Sequence, residues 1–163
     1  MLRVGILTAS DKGHQGQRTD ESCKTIMKML EGIGADIVDY AIVPDERNII
    51  SAKLIEMADE MGVDLILTTG GTGFSPRDIT PEATLDVIDR QVPGIPEAMR
   101  LKSLEITPKA MLSRAVSGIR NKTLIINLPG SPKSVRECLE VVLPVIPHAI
   151  EILSGKGGEC GSK

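Results

Sequence analysis

The sequence predicts an α/β protein: a single-domain three-layer sandwich whose mainly parallel sheet is covered by helices on both faces. Three observations point there. Short, nearly continuous apolar runs recur four times, as in strands buried on both sides. Longer segments between them repeat their apolar residues at helical spacing. Finally, 163 residues, 41% of them hydrophobic, suit one compact domain with a real core.

The first strand is "RVGILT" at 3–8, and the loop "LTASDKGHQGQRTD" follows it. Cys23, Ile26, Met27, Leu30 and Ile33 then mark one stripe of a helix. "DIVDYAIV" at 36–43 is the second strand, and Ile50, Leu54, Met57, Ala58 and Met61 form the stripe of the next helix. "DLILTT" at 64–69 is the third strand and runs into "TTGGTGFSPRDITPEAT", where Thr80 is expected to cap a helix with Pro81 at its first position. "TLIIN" at 123–127 is the fourth strand. It leads through "NLPGSPKS" to a helix over 131–142, with Val135, Cys138, Leu139 and Val142 on its apolar face. Pro144 and Pro147 interrupt or restart that helix. The domain spans 1–154, and the Gly-rich tail at 155–163 reads as flexible.

Composition excludes several functions. One Tyr, one Phe, no Trp and a net charge of -3 disfavour nucleic-acid binding. The N-terminal apolar run is too short for a signal peptide, and "VVLPVIPHAI" carries two prolines, so no membrane association is expected. Cys23, Cys138 and Cys160 form an odd set without C-x-x-C spacing, which points to a reducing, cytoplasmic setting. Cys138 falls on an apolar stripe and reads as core.

In a doubly wound sheet ligands bind beyond the carboxyl ends of the strands. Three loops there are rich in small or polar residues: those after the first, third and fourth strands. Successive glycines let backbone N–H groups form a nest for phosphate oxygens, and the helix starting near Thr80 would add its positive end. Neither a P-loop nor a dinucleotide fingerprint is present: position 75 is Ser with no lysine after it, and "GTGFSP" lacks a third glycine. A glycine turn serving strand-to-helix geometry alone is the other reading.

"TTGGTGFSPRDITPEAT" resembles the signature of the MogA/MoaB-type molybdenum cofactor biosynthesis proteins, the molybdopterin adenylyltransferases, and is similar to the cofactor-synthesis domain of gephyrin. "LTASDKG", "VPDE", "VPGIPEAMR", "LSRAVSGIR" and "LIINLPGSPKSV" extend the resemblance over nearly the whole chain. It implies that the terminal phosphate of molybdopterin attacks the α-phosphate of ATP with Mg²⁺ present, releasing pyrophosphate. It also implies a homotrimer, transient contacts with other proteins of cofactor synthesis, and molybdate insertion on a different protein.

By the same resemblance Asp45 and Asp78 are the catalytic and Mg²⁺-positioning pair. Each has a plainer local reading: Asp45 as the cap of the second helix, Asp78 as an Asx turn against Thr80. Ser10 and Asp11, Gly70, Gly71, Thr72 and Gly73, Glu97 and Arg100, Ser113 and Arg114, and Pro129 and Gly130 are the expected substrate-binding residues. For Ser10 and Asp11 the alternative is ordinary helix-approach chemistry, and for the arginines an exposed salt bridge. Phe74 is expected to pack under its loop rather than stack on a pterin. The alternative function is a non-catalytic molybdopterin-binding or carrier protein with the same pocket.

Overall fold

The computed structural model describes residues 1–157. Among these, six strands form one sheet: β1 (Leu2–Ala9), β2 (Ala35–Val43), β3 (Leu65–Thr69), β4 (Arg90–Gln91), β5 (Ser117–Arg120) and β6 (Thr123–Leu128). Their order across the sheet is β2-β1-β3-β6-β5-β4. The first three pairings are parallel, and β5 and β4 close the edge antiparallel.

The described α-helices are α1 (Asp11–His14), α2 (Glu21–Glu31), α3 (Arg47–Ile55), α4 (Thr80–Leu85), α5 (Gly94–Leu104), α6 (Pro132–Val142) and α7 (Ile146–Leu153). A π turn, Glu56–Glu60, prolongs α3. The mostly apolar runs of β1, β3 and β6 have a direct physical reason, because side chains alternate across a pleated strand and both faces of these central strands are covered. Ile6, Leu67 and Ile126 pack with Ile26 of α2 and Leu139 of α6 on one side. Leu7, Ile66 and Ile125 pack with Ile50 and Leu54 of α3 and Ala83 of α4 on the other. At about 2 kcal/mol for each large side chain fully removed from water, these two layers dominate stability.

A buried polar link crosses the middle of the sheet. Asn127 donates to the hydroxyls of Thr68 and Thr84, both at 3.0 Å, and its Oδ1 accepts the Val116 N–H at 3.2 Å. It therefore joins β3, α4, β6 and the entry to β5, and it is fully buried.

Two expectations need correction. Thr80 is the first helical residue of α4 rather than its cap, Ile79 precedes it, and Pro81 is one place further in. The Thr80 side chain turns into the core, where Oγ1 has no hydrogen-bond partner among the described residues. Phe74 does not pack beneath its loop; it is 70% exposed. Cys138 is buried as expected, whereas Cys160 and residues 158–163 of the tail lie outside the described residues. No described helix is long and apolar enough to cross a membrane.

Candidate active site

The carboxyl ends of β1, β2, β3 and β6 meet at one rim, and short-range hydrogen bonds lock their loops together. After β1, Ser10 caps α1 by accepting the Gly13 N–H at 3.0 Å. After β2 comes Asp45, which does not cap α3; Glu46 holds that position without a side-chain bond. Asp45 turns instead to the β1 loop, where its Oδ2 accepts the Asp11 N–H at 3.0 Å while its own N–H donates to Asp11 Oδ1 at 3.0 Å.

After β3 the chain turns through Gly70 and Gly71, with φ of 89° and 69°. A Cβ on Gly70 would lie 2.4 Å from the Ala9 carbonyl oxygen, and one on Gly71 would lie 2.3 Å from Thr80 Oγ1 and 3.4 Å from Asp45 Oδ1. Both positions therefore need glycine for conformation and for space. Asp78 folds back within the loop, accepting the Ser75 N–H on Oδ2 at 3.0 Å rather than turning against Thr80.

After β6, the Pro129 carbonyl accepts from Thr69 Oγ1 at 2.6 Å, and the Gly130 carbonyl from Ser22 Oγ at 2.7 Å. Ser131 caps α6 through the Ser134 N–H, and Asp20 caps α2 through the Cys23 N–H at 3.0 Å. These two eleven-residue helices start at the rim, so their positive ends face it. The sequence predicts that role for the six-residue α4, but none of its residues lines the cleft and its first N–H is bonded to the Gly71 carbonyl at 3.1 Å.

Between these loops lies a cleft of about 650 Å³, with Ser10, Asp45, Gly70, Gly71, Asp78 and Gly130 on its walls. Thr72, Gly73, Arg100, Ser113 and Pro129 line a second hollow of about 270 Å³, between the same glycine loop, α5 and α6. Arg100 there donates to the carbonyls of Ser113 and Ala115 at 3.2 and 3.0 Å.

The expected site residues thus divide between two adjoining spaces, and three stand apart. Glu97 is exposed and lines neither hollow. Asp11 stands behind Asp45, held by Arg77. Arg114 braces the glycine loop: Nε donates to the Gly73 carbonyl at 2.8 Å, Nη2 to the Asp78 carbonyl at 2.9 Å, and Nη1 pairs with the Glu82 carboxylate.

Electrostatics separate the two neighbouring aspartates. Hydrogen bonding from Arg77, then from the Asp45 N–H, pulls the Asp11 carboxyl below its usual range. Burial lifts the Asp45 carboxyl; the Asp11 N–H opposes that lift, and the charges of Asp11 and Asp78 add to it. Burial first, and the neighbouring negative charges after it, therefore oppose ionisation of Asp45.

Asp20 and Arg18 also line the cleft and were not singled out in the sequence. Asp20 additionally receives the hydroxyls of Thr8 and Tyr40. Its N-cap signal, Asp before the periodic Cys23, Ile26 and Leu30, was available in principle. Neighbouring Cys23 is no nucleophile: burial and the Asp20 charge push its thiol up to about 12.

Glycine turns, helix starts and two carboxylates at the carboxyl rim of a parallel sheet are the equipment of an α/β protein that takes small phosphate-bearing ligands. Comparison with known proteins narrows this class. Residues 5–148 match the profile of the molybdenum cofactor biosynthesis family, described as a probable molybdopterin binding domain, and the chain belongs to that family. It is 49% identical over 156 residues to the molybdopterin adenylyltransferase of Helicobacter pylori, covering 94% of this chain and 89% of that protein. To the Escherichia coli K12 enzyme of the same name the identity is 40% over 168 residues, with 94% and 86% covered. The crystal structure of the molybdopterin biosynthesis enzyme MoaB from Thermus thermophilus superposes with a TM-score of 0.91 at 55% identity, covering 96% of this chain and 98% of that one.

Proposed function

We propose that this protein transfers the adenylyl group of ATP to the terminal phosphate of molybdopterin. One observation carries the reading: Asp45 and Asp78, from different loops, stand on the wall of one cleft beside a glycine turn, close enough for Asp78 to raise the Asp45 pKa. A phosphate oxygen of molybdopterin attacks the α-phosphorus of ATP. The bond from that phosphorus to the bridging oxygen breaks, and pyrophosphate leaves. Such transfer depends on positioning and charge neutralisation more than on proton transfer.

Each element has a part. The turn through Gly70 and Gly71, with Gly130 and the starts of α2 and α6, would bring N–H groups to the phosphates, and the Ser10 side chain lines the same wall. The smaller hollow at Thr72, Gly73, Arg100, Ser113 and Pro129 would take the pterin end. Arg114 and Asp11 hold the walls from behind, and Glu97 stands outside.

Mg²⁺ fits the donor set. Two hard carboxylate oxygens suit a cation that completes its shell with water and substrate phosphate, and no group of three or more His, Cys, Asp or Glu is placed to cage a metal among the described residues. Asp45 and Asp78 would hold it, and a positive charge there would relieve their mutual repulsion. Held there, Mg²⁺ would supply positive charge against the phosphate of the adenylyl group being transferred. Assembly as a homotrimer, transient contact with other cofactor-synthesis proteins and a cytoplasmic location belong to the same proposal and draw their support from family membership.

The deciding experiment omits molybdopterin, ATP and Mg²⁺ in turn while following pyrophosphate release and the mass of the pterin product. Transfer requires all three together. Release without molybdopterin would indicate a nucleotide hydrolase, and pterin binding without any release would indicate a carrier.

A further inference from the structure

Arg77 lies in the glycine loop, one residue before Asp78, with its side chain about half exposed. Its guanidinium forks onto Asp11, Nε donating to Oδ2 and Nη2 to Oδ1, both at 3.0 Å. Nη2 also reaches Glu46 Oε1 at 3.0 Å. Asp11 Oδ1 is the same oxygen that accepts the Asp45 N–H, and Glu46 is the residue after Asp45. One side chain therefore ties the loop that carries Asp78 to the partner and the neighbour of Asp45. Exposed ion pairs add little to stability, but a bidentate fork with a third contact fixes position.

We propose that Arg77 is a positioning residue for adenylyl transfer: from outside the cleft it sets the separation of Asp45 and Asp78, and it touches neither substrate. The inference rests on the function proposed above and extends it to a residue outside the cleft. Arg77 acts through Asp11 and Glu46, and its effect falls on the two groups that would hold the cation rather than on pterin binding.

The test uses the full chain with Arg77→Gln, Arg77→Lys, Asp11→Asn and the double variant Arg77→Gln with Asp11→Asn. Mn²⁺ alone is titrated into each protein and followed by electron paramagnetic resonance. kcat and the KM for molybdopterin are then measured, and thermal unfolding is recorded for every variant. Arg77→Gln is expected to weaken Mn²⁺ binding and lower kcat by about tenfold each, with KM little changed. Arg77→Lys recovers part of both, because a point charge restores the attraction but not the fork. The double variant loses less than the two single losses combined, because much of what Arg77 contributes passes through the Asp11 carboxylate.

Wild-type Mn²⁺ affinity and kcat in Arg77→Gln, or losses that simply add in the double variant, overturn the inference. A drop in Tm large enough to explain the losses does so as well, by making Arg77 a structural tie. Wild-type protein that binds Mn²⁺ but transfers no adenylyl group overturns the proposed function, while the Arg77 coupling stays readable on the metal. Wild-type protein that binds no Mn²⁺ overturns the inference at its base.

Discussion

Asp11 and Asp45 are bound to each other twice, each donating its backbone N–H to the other's carboxylate at 3.0 Å. The arrangement brings two like charges together at the end of β1 and β2. Arg77 bonds the outer one directly and pulls its carboxyl down, whereas burial, with the charges of Asp11 and Asp78 behind it, lifts the inner one, Asp45.

Loss of either functional carboxylate should lower turnover in a protein that still folds. Asp45→Asn and Asp78→Asn preserve shape and hydrogen-bond acceptors, so kcat is expected to fall by about 100-fold or more while molybdopterin affinity is largely kept. Steady-state kinetics beside equilibrium pterin binding checks this. Wild-type turnover in both variants would remove them from the chemistry.

The raised Asp45 carboxyl also makes a pH-dependent demand on the fold. Its native pKa lies above the ordinary value of 3.8, so native Asp45 holds its proton more tightly than the unfolded chain does. The stability this gives is fully present below that ordinary value and is lost as pH rises through the native pKa. Asp45→Asn should therefore have a higher Tm than wild type at pH 7.5, with the gain shrinking as pH falls toward 4. Calorimetry across that range decides it, and a constant difference would refute the assignment.

Glycine at 71 and glycine at 130 should respond differently to a methyl group. Gly71→Ala strains a positive φ and drives Cβ into Thr80 Oγ1, so it should cost about 1–3 kcal/mol of stability along with binding. Gly130→Ala meets only Gly70, its Cα at 3.5 Å and its N at 4.0 Å, both ordinary contacts, so it should fold normally and lose ligand affinity through the cleft wall. Denaturant unfolding and ligand titration separate the two effects.

Asn127→Leu should be among the more damaging changes outside the cleft. It strands the Val116 N–H and removes the partner of two buried hydroxyls, at a cost of about 2–4 kcal/mol. Urea denaturation measures it, and a cost near zero would mean that the network contributes little.

What could be read from the chain followed the strength of the periodic signal. β1, β3 and β6 are mostly apolar and were legible; β4 and β5 were not, because "RQ" and "SGIR" are short and of mixed polarity. Cys23, Ile26 and Leu30 gave α2, though the helix stops at Glu31, two residues before the Ile33 that the stripe included. Asp45 and Asp78 were legible only through the resemblance, since local rules offered each a capping or turn role. Arg77 and Arg114 show the limit most clearly. A lone arginine carries no sign of whether it meets a ligand or a carbonyl, and both proved to hold the glycine loop by contacts 31 or more residues away in sequence.

The parallel core of the sheet has a polarity that divides the molecule. Every loop of the cleft leaves the carboxyl ends of β1, β2, β3 and β6, whereas the turn at Gly34, which feeds β2, lies at the opposite rim with a φ of 65° and open space around the position a Cβ would take. That rim can be altered with little risk to the chemistry. A short flexible peptide inserted beside Gly34 would put a tag, a dye or a surface tether at the far end of the strands, leaving the cleft facing solution.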